Sequence, residues 1–183
     1  MDMKVKDKSP APLTDVKTLR QRARKNVMDG AVTEGYGADR EKVLDLLNQA
    51  LATEIVCVLR YRRHHFMAKG MNAEPIAAEF LLHAGEELAH ADSIAARIVQ
   101  LGGEPDFAPD TLTTRSHSEY VAVNALTDMV KENLVAERVA IESYSDMIRY
   151  IGDKDITSRR LLEGILAVEE EHADELADLL TKS

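Results

Sequence analysis

Apolar side chains recur every three or four positions along four long stretches of this 183-residue chain, at about 39–69, 72–101, 127–151 and 154–180. This spacing puts them on one face of an α-helix and is typical of helices that pack around a shared core. Gly70, Gly102 and Gly152 follow three of the stretches, and Asp39 can cap the first. The pattern predicts an antiparallel bundle of four long helices, with one long crossover between the second and third.

The apolar face of each predicted helix is interrupted near its middle by side chains that can bind metal. The faces read Leu47, Leu51, Glu54, Val58 and Tyr61 in the first helix; Phe80, His83, Glu87, His90 and Ile94 in the second; Val130, Leu134, Glu137, Ile141, Tyr144 and Ile148 in the third; and Leu162, Ile165, Glu169, His172, Leu176 and Leu179 in the fourth. A buried carboxylate without a partner is costly, so four of them in one core imply a compensating positive charge.

Divalent metal can supply this charge. Two ions balance four carboxylates, and two neutral histidines complete their coordination. Glutamate from two helices plus Glu-x-x-His from the other two is the ligand set of di-iron and di-manganese carboxylate proteins. The absence of a thiolate favours iron or manganese over structural zinc. The predicted ligands are Glu54, Glu87, His90, Glu137, Glu169 and His172.

The two halves of the bundle repeat each other. The set Glu54, Tyr61, Glu87 and His90 recurs as Glu137, Tyr144, Glu169 and His172. Glutamate precedes tyrosine by seven residues in both halves, and the two glutamates of each half are 33 and 32 residues apart. The repeat predicts a pseudo-two-fold bundle around a symmetric dinuclear site.

Tyr61 and Tyr144 each follow a predicted ligand by two helical turns. Either hydroxyl could orient a ligand carboxylate by a hydrogen bond. The alternative is a core tyrosine with its hydroxyl satisfied elsewhere. The orienting role is favoured for Tyr61, and the two interpretations weigh equally for Tyr144.

Other polar residues near the motifs receive no ligand role. Glu79, Glu86, Glu170 and Glu171 are predicted to face solvent. For His83, a partly buried position with an ordinary partner is favoured over a further iron site with Glu79 or Glu86. Cys57 is predicted to be a small core residue.

The composition supports an all-α fold, because tryptophan is absent and helix-forming residues are abundant. The net charge is −9, yet residues 1–24 hold seven lysines and arginines against three aspartates. We therefore predict a basic N-terminal extension, 1–38, containing a short helix at about 14–28 capped by Thr14, and a bundle domain, 39–183. A basic arm could bind DNA, but without aromatic residues a solvated tail or a short docked helix is favoured.

The crossover and the cellular location carry weaker signals. Residues 106–114 are predicted to be loop, and Ser116 with Glu119 forms a candidate capping box for a short apolar helix. A single cysteine indicates a reducing compartment. No apolar run reaches the roughly 20 residues that cross a bilayer, so no membrane association is expected. No secretory signal is evident, and a cytoplasmic location is expected.

These motifs resemble the bacterioferritins and the Dps-like branch of the ferritin superfamily. The resemblance covers about 39–180 and rests on residues 53–56 with Tyr61, 87–92, 101–103 and 169–172. It implies a ferritin-like bundle that holds two iron ions per chain, with manganese as the alternative metal. It also implies bridging roles for Glu87 and Glu169, and terminal roles for Glu54, Glu137, His90 and His172.

The chain departs from that pattern in three places. Leu88 stands where bacterioferritins carry a haem-ligating methionine, so no haem is expected. The chain ends at Ser183, without the fifth helix of the 24-subunit ferritins, so a Dps-like dodecameric cage is expected. Dps-like relatives are also known with a cysteine pair near the site, and Cys57 alone cannot supply one.

The resemblance implies a ferroxidase. Fe²⁺ would bind in the bundle, O₂ or H₂O₂ would oxidise it, and Fe³⁺ would be stored as mineral in a homo-oligomeric cage, with protection from oxidative stress as the result. One alternative is a non-cage di-iron or di-manganese oxidase, or an enzyme similar to manganese catalase. Another is a Dps-like DNA protector that acts through the basic arm.

Overall fold

The structure of the protein, a computed structural model, describes residues 13–181 and is helical over most of that span. Six α-helices lie in this part of the chain: α1 (Val16–Ala23), α2 (Arg40–Met67), α3 (Ala73–Gln100), α4 (Leu112–Arg115), α5 (Leu126–Ile151) and α6 (Ile156–Thr181). The long helices α2 and α3 pair with each other, as do α5 and α6. The predicted all-α four-helix bundle is confirmed, and its long helices begin and end within two residues of the predicted positions.

Local chemistry accounts for the ends of the long helices. The Asp39 side chain accepts a hydrogen bond from the Lys42 amide at 3.2 Å and caps α2. After α3 the chain reverses at Gly102, where φ is +76°, and at Gly103. A Cβ on Gly103 would stand only 2.5 Å from Leu44 Cδ2, so the Leu44 side chain would have to shift to admit a larger residue in this turn.

The N-terminal extension differs in detail from its prediction. Helix α1 begins after Asp15, whose side chain accepts from the Thr18 amide at 3.0 Å, so the prediction that Thr14 is the cap is wrong. It ends at Ala23 instead of Met28, because Asn26 has positive φ and a single 3₁₀ turn, Val27–Asp29, follows. Residues 1–12 of the predicted basic arm lie outside the described residues.

The crossover also corrects its prediction. Its short helix is α4, in the region predicted to be loop, and residues 116–125 are not helical. The Ser116 hydroxyl bonds to Ser118 instead of capping a helix. Arg60 and Arg63 of α2 donate to the carbonyl oxygens of Glu119 and Val123. An extended segment advances about 3.3 Å per residue, whereas a helix advances about 1.5 Å. A small number of extended residues can therefore cover a long distance along the bundle.

The apolar core divides into two main clusters along the bundle axis. The larger includes Leu47, Leu51, Ile94, Tyr144 and Leu162. The other includes Cys57, Tyr61, Phe80, Met129 and Leu176, so the prediction of Cys57 as a core residue is confirmed. The predicted metal ligands lie between these clusters in every long helix, where water has little access.

No described helix is long and apolar enough to cross a membrane.

Candidate metal centre

The six predicted ligands meet in the middle of the bundle. Helix α2 contributes Glu54, α5 contributes Glu137, and α3 and α6 each contribute a glutamate and a histidine three residues apart. Positions i and i+3 share one helix face, so each Glu-His pair points inward. Five of the six residues are at most 2% exposed, and the His90 side chain is 12% exposed.

The ligand atoms form two overlapping sets, each within 4.8 Å. One set is Glu54, Glu87, His90 and Glu169, and the other is Glu87, Glu137, Glu169 and His172. Glu87 and Glu169 belong to both sets. The arrangement suits two neighbouring ions, each with its own glutamate and histidine, that share two carboxylates.

The distances within each set suit ligands around an ion. His90 Nδ1 lies 3.0 Å from Glu169 Oε1, 3.3 Å from Glu54 Oε2 and 3.6 Å from Glu87 Oε2. His172 Nδ1 lies 3.5 Å from Glu87 Oε1 and 3.9 Å from Glu169 Oε2. Two atoms about 2.1 Å from one ion, at angles of about 90–110°, are about 3.0–3.4 Å apart. Only slight contraction is therefore needed to form both coordination shells.

Without metal the carboxylates must share protons. Burial, and then the charges of neighbouring glutamates, raise the pKa values of Glu87 and Glu169 well above the usual range. Burial also opposes charge on Glu54 and His90, but hydrogen bonding between them and with other glutamates prevails. The pKa of Glu54 is therefore lowered and that of His90 is raised to about 12. The two shared carboxylates and the His90 imidazole are thus the groups that hold protons until a cation replaces them.

Several ligand atoms lack a hydrogen bond within the described residues. Glu87 Oε1, Glu137 Oε2 and His172 Nδ1 are fully buried and form none. A buried polar atom without a partner costs about 1–3 kcal/mol, so three at one place need an explanation. Divalent cations satisfy all three atoms, and the residues present therefore fit a dinuclear metal centre.

Both predicted tyrosines reach the centre, and each contacts the glutamate of the opposite half. The Tyr61 hydroxyl donates to Glu137 Oε1, and the Tyr144 hydroxyl donates to Glu54 Oε1. Each bond ties α2 to α5 and restricts the rotation of one carboxylate.

His83 and two nearby glutamates differ from their predictions. His83 is completely buried instead of partly exposed. Glu79 and Glu86 do not simply face solvent: Glu79 Oε1 lies 3.4 Å from His83 Nε2, and Glu86 Oε2 lies 2.9 Å from His172 Nε2. Both side chains lie in the interface between α3 and α6. This interface includes positions outside the line of apolar residues from which the inner face of α3 was predicted.

A cluster of buried polar side chains, farther from the centre than Tyr61, was not predicted. Buried Arg60 donates to Asn133 Oδ1 at 2.9 Å, and His64 Nδ1 lies 3.1 Å from the same oxygen. Asn133 stands one turn before Glu137, which is the signal that could have placed it on the inner face. Arginine at position 60 gives no such signal, because arginine is rarely buried.

Comparisons with known proteins identify the family of this chain. Residues 44–183 match the family model for the ferritin-like domain. The bacterioferritin of Desulfovibrio desulfuricans is 32% identical over 140 residues, which are 75% of this chain and 74% of that protein. The DNA protection during starvation protein of Pyrococcus furiosus is 29% identical over 153 residues, 82% of this chain and 83% of that one.

A solved structure gives the same result. The dodecameric thioferritin of Bacteroides fragilis, a bacterioferritin-related protein, superposes with a TM-score of 0.77 at 32% identity, covering 80% of this chain and 88% of its own. Sequence and fold thus agree on relatives of the bacterioferritin and Dps kind, and the chain belongs to the ferritin-like family.

Proposed function

We propose that the protein is a ferroxidase that takes up Fe²⁺ at the centre between α2, α3, α5 and α6 and stores Fe³⁺ as mineral. The observation that supports this most is the pair of overlapping ligand sets joined through Glu87 and Glu169. A site for two adjacent ions lets one oxidant take an electron from each. Iron is the substrate, and manganese fits the same oxygen and nitrogen donors.

The residues of the chain have distinct parts in this proposal. Glu87 and Glu169 bridge the ions and release their protons as metal binds. Glu54 with His90, and Glu137 with His172, complete one half-site each. Tyr144 and Tyr61 orient the two terminal carboxylates by hydrogen bonds. The apolar clusters on both sides exclude water from the reacting metal.

We infer that the oxidised iron is stored in a homo-oligomeric cage, with a dodecamer expected. The related protein of Bacteroides fragilis is dodecameric. Twelve copies of this 20.3 kDa chain have a mass of about 240 kDa, which gel filtration separates from a small assembly. We expect a protein without haem, since Leu88 has no group that ligates iron. We also expect a cytoplasmic location.

The test is an anaerobic Fe²⁺ titration followed by addition of H₂O₂ or air. We expect the centre to bind about two Fe²⁺ per chain and to oxidise them rapidly. Glu87→Ala should lose both ions and slow oxidation by more than about 100-fold, because it removes a ligand from each half-site. Glu170→Ala, next to Glu169 but exposed on α6, is the matched control.

Three results would contradict the proposal. They are failure of the wild type to bind iron, unchanged oxidation in Glu87→Ala, and peroxide consumed with release of O₂ but no mineral. The last result, from a small assembly, would indicate the catalase-like alternative.

A DNA-protecting role is the second candidate, favoured by the exposure of α1. This helix buries no side chain and presents Lys17, Arg20 and Arg22. Electrostatic binding to DNA weakens as salt rises. Deleting residues 1–26 should abolish salt-sensitive DNA retention if the arm binds, and no retention of the intact protein at low salt would exclude this role.

A further inference from the structure

A separate cluster of metal-binding side chains lies beside the centre, where α3 faces α6. Glu79 and His83 stand one turn apart on α3, and Glu175 projects from α6. The imidazole is fully buried, whereas the side chains of Glu79 and Glu175 are 32% and 45% exposed. The cluster therefore connects the interior of the bundle with solvent.

The three side chains converge at coordination distance. His83 Nε2 lies 3.0 Å from Glu175 Oε2 and 3.4 Å from Glu79 Oε1, and the three ligand atoms fall within 4.8 Å. Those distances equal the edges expected between ligands about 2.1 Å from one ion. Two carboxylates would neutralise a divalent cation, with the imidazole as a neutral third ligand.

The hydrogen bonds of Tyr61 indicate a proton on Nδ1 of His83. The tyrosine hydroxyl has one proton and donates it to Glu137, so its oxygen accepts from His83 Nδ1 at 3.2 Å. With a proton on Nδ1, the ring nitrogen that faces Glu79 and Glu175 is Nε2. A metal ion bound there in place of a proton on Nε2 would balance the charge of both carboxylates.

The cluster adjoins the centre through stacked histidine rings. The rings of His83 and His172 are 4.0 Å apart and nearly parallel, at 18°. Glu86 Oε2 contacts His172 Nε2 at 2.9 Å, and His83, Glu86 and His172 themselves offer ligand atoms within 4.8 Å. Donor atoms thus continue from Glu175 at the surface to His172 in the centre.

We propose that Glu79, His83 and Glu175 bind a third divalent first-row metal ion, separate from the dinuclear pair and next to its His172 half. The ligands suit Fe²⁺, Mn²⁺, Co²⁺ or Zn²⁺. The proposal of this third site depends only on the contacts among Glu79, His83 and Glu175. Its use as a stage from which Fe²⁺ enters or leaves the centre rests on the proposed ferroxidase function.

The test is an anaerobic titration of the intact protein with Co²⁺, followed by visible absorption and calorimetry. The wild type should bind about three ions per chain, and the double variant Glu79→Gln/Glu175→Gln about two. Both substitutions are isosteric and at partly exposed positions, so the fold should be retained, as circular dichroism would verify. Glu87→Gln should retain the third ion and lose the dinuclear pair, and Glu170→Gln should match the wild type.

The outcomes separate the two proposals. Equal stoichiometry in the wild type and the double variant overturns the third site and leaves the dinuclear centre intact. Loss of one ion in the double variant, with no loss in Glu87→Gln, supports the third site and contradicts the dinuclear centre.

Discussion

The two ends of the bundle that flank the centre have different cores. The core side chains packed with Tyr144 are apolar, and the buried ion pair of Arg97 and Asp155 lies near the helix termini at that end. Around Tyr61 the core itself contains buried polar side chains. The internal repeat places a polar residue of one end at the position equivalent to an apolar residue of the other. The equivalent pairs are His83 with Ile165, His64 with Met147, and Asn133 with Ala50. All six residues are buried. We call these the polar end and the apolar end.

In the proposed function, the part of the repeat that both halves share would carry the chemistry, and the rest of the repeat can diverge. The predicted ligands and the two tyrosines recur in both halves and would set the geometry of the dinuclear centre. The apolar end holds its half-site by apolar packing and by the hydrogen bond from Tyr144 to Glu54. The polar end links Glu137 and His172 to Glu79, Glu86 and Glu175 near the surface. We expect exchange of ions with solvent to use the polar end.

Exchanging one pair of repeat partners should have the largest effect. Ile165→His places an imidazole among apolar neighbours and should lower the free energy of unfolding by about 2–4 kcal/mol. His83→Ile should cost less than about 1.5 kcal/mol, because Tyr61 keeps its bond to Glu137. Urea unfolding of the metal-free protein at one fixed concentration measures both values. Equal costs would contradict the division into polar and apolar ends.

Acid should destabilise the polar end through His64. Burial, which outweighs its hydrogen bond to Asn133, lowers the pKa of His64 to about 4. The unfolded chain binds this proton near pH 6.5 but the folded protein does not, so the stabilisation present above pH 6.5 is lost as pH falls toward 4. The loss attributable to His64 should be about 1–3 kcal/mol.

Denaturation curves between pH 7 and 4 test this, with His64→Met as the comparison because methionine is the residue at the repeat position. The variant should lose less stability on acidification than the wild type. Parallel pH profiles for the two proteins would rule out His64 as the source.

Substitution of either tyrosine should have a smaller effect, and the two substitutions should lower the metal affinity by different amounts. Tyr144→Phe frees the Glu54 carboxylate and should weaken the binding of one metal ion by about 10-fold. Tyr61→Phe frees Glu137 and also removes the hydroxyl beside His83, so its loss should approach 100-fold, the upper range of such effects. Anaerobic Co²⁺ titration of both variants gives the values, and identical losses would mean that the His83 contact has no influence on the centre.

Much of this architecture could be predicted because it depends on spacing along single helices. The 3–4 periodicity located four helices, and Glu-x-x-His placed each pair on one face regardless of neighbouring helices. The roles of Glu79, Glu86 and His83 depend on how α3 is rotated against α6. Spacing within one helix contains no information about that rotation.

The crossover could not be predicted for a related reason. Ser116 with Glu119 matches a capping box, but the side chains that satisfy this segment belong to α2. Thr53 Oγ1 accepts from the His117 amide, and Arg60 and Arg63 donate to carbonyl oxygens farther along. Contacts so far apart in sequence override a local helix signal.

The most direct test of the dinuclear centre is a crystal structure of protein loaded anaerobically with Fe²⁺, with anomalous data collected on both sides of the iron edge. In the centre we predict two peaks about 3.5–4 Å apart, each bonded to Glu87 and Glu169, one also to Glu54 and His90 and the other to Glu137 and His172. A third peak at Glu79, His83 and Glu175 would belong to the separate site. A single peak in the centre, or iron bonded only to surface carboxylates while the six buried side chains remain unligated, would contradict the dinuclear centre.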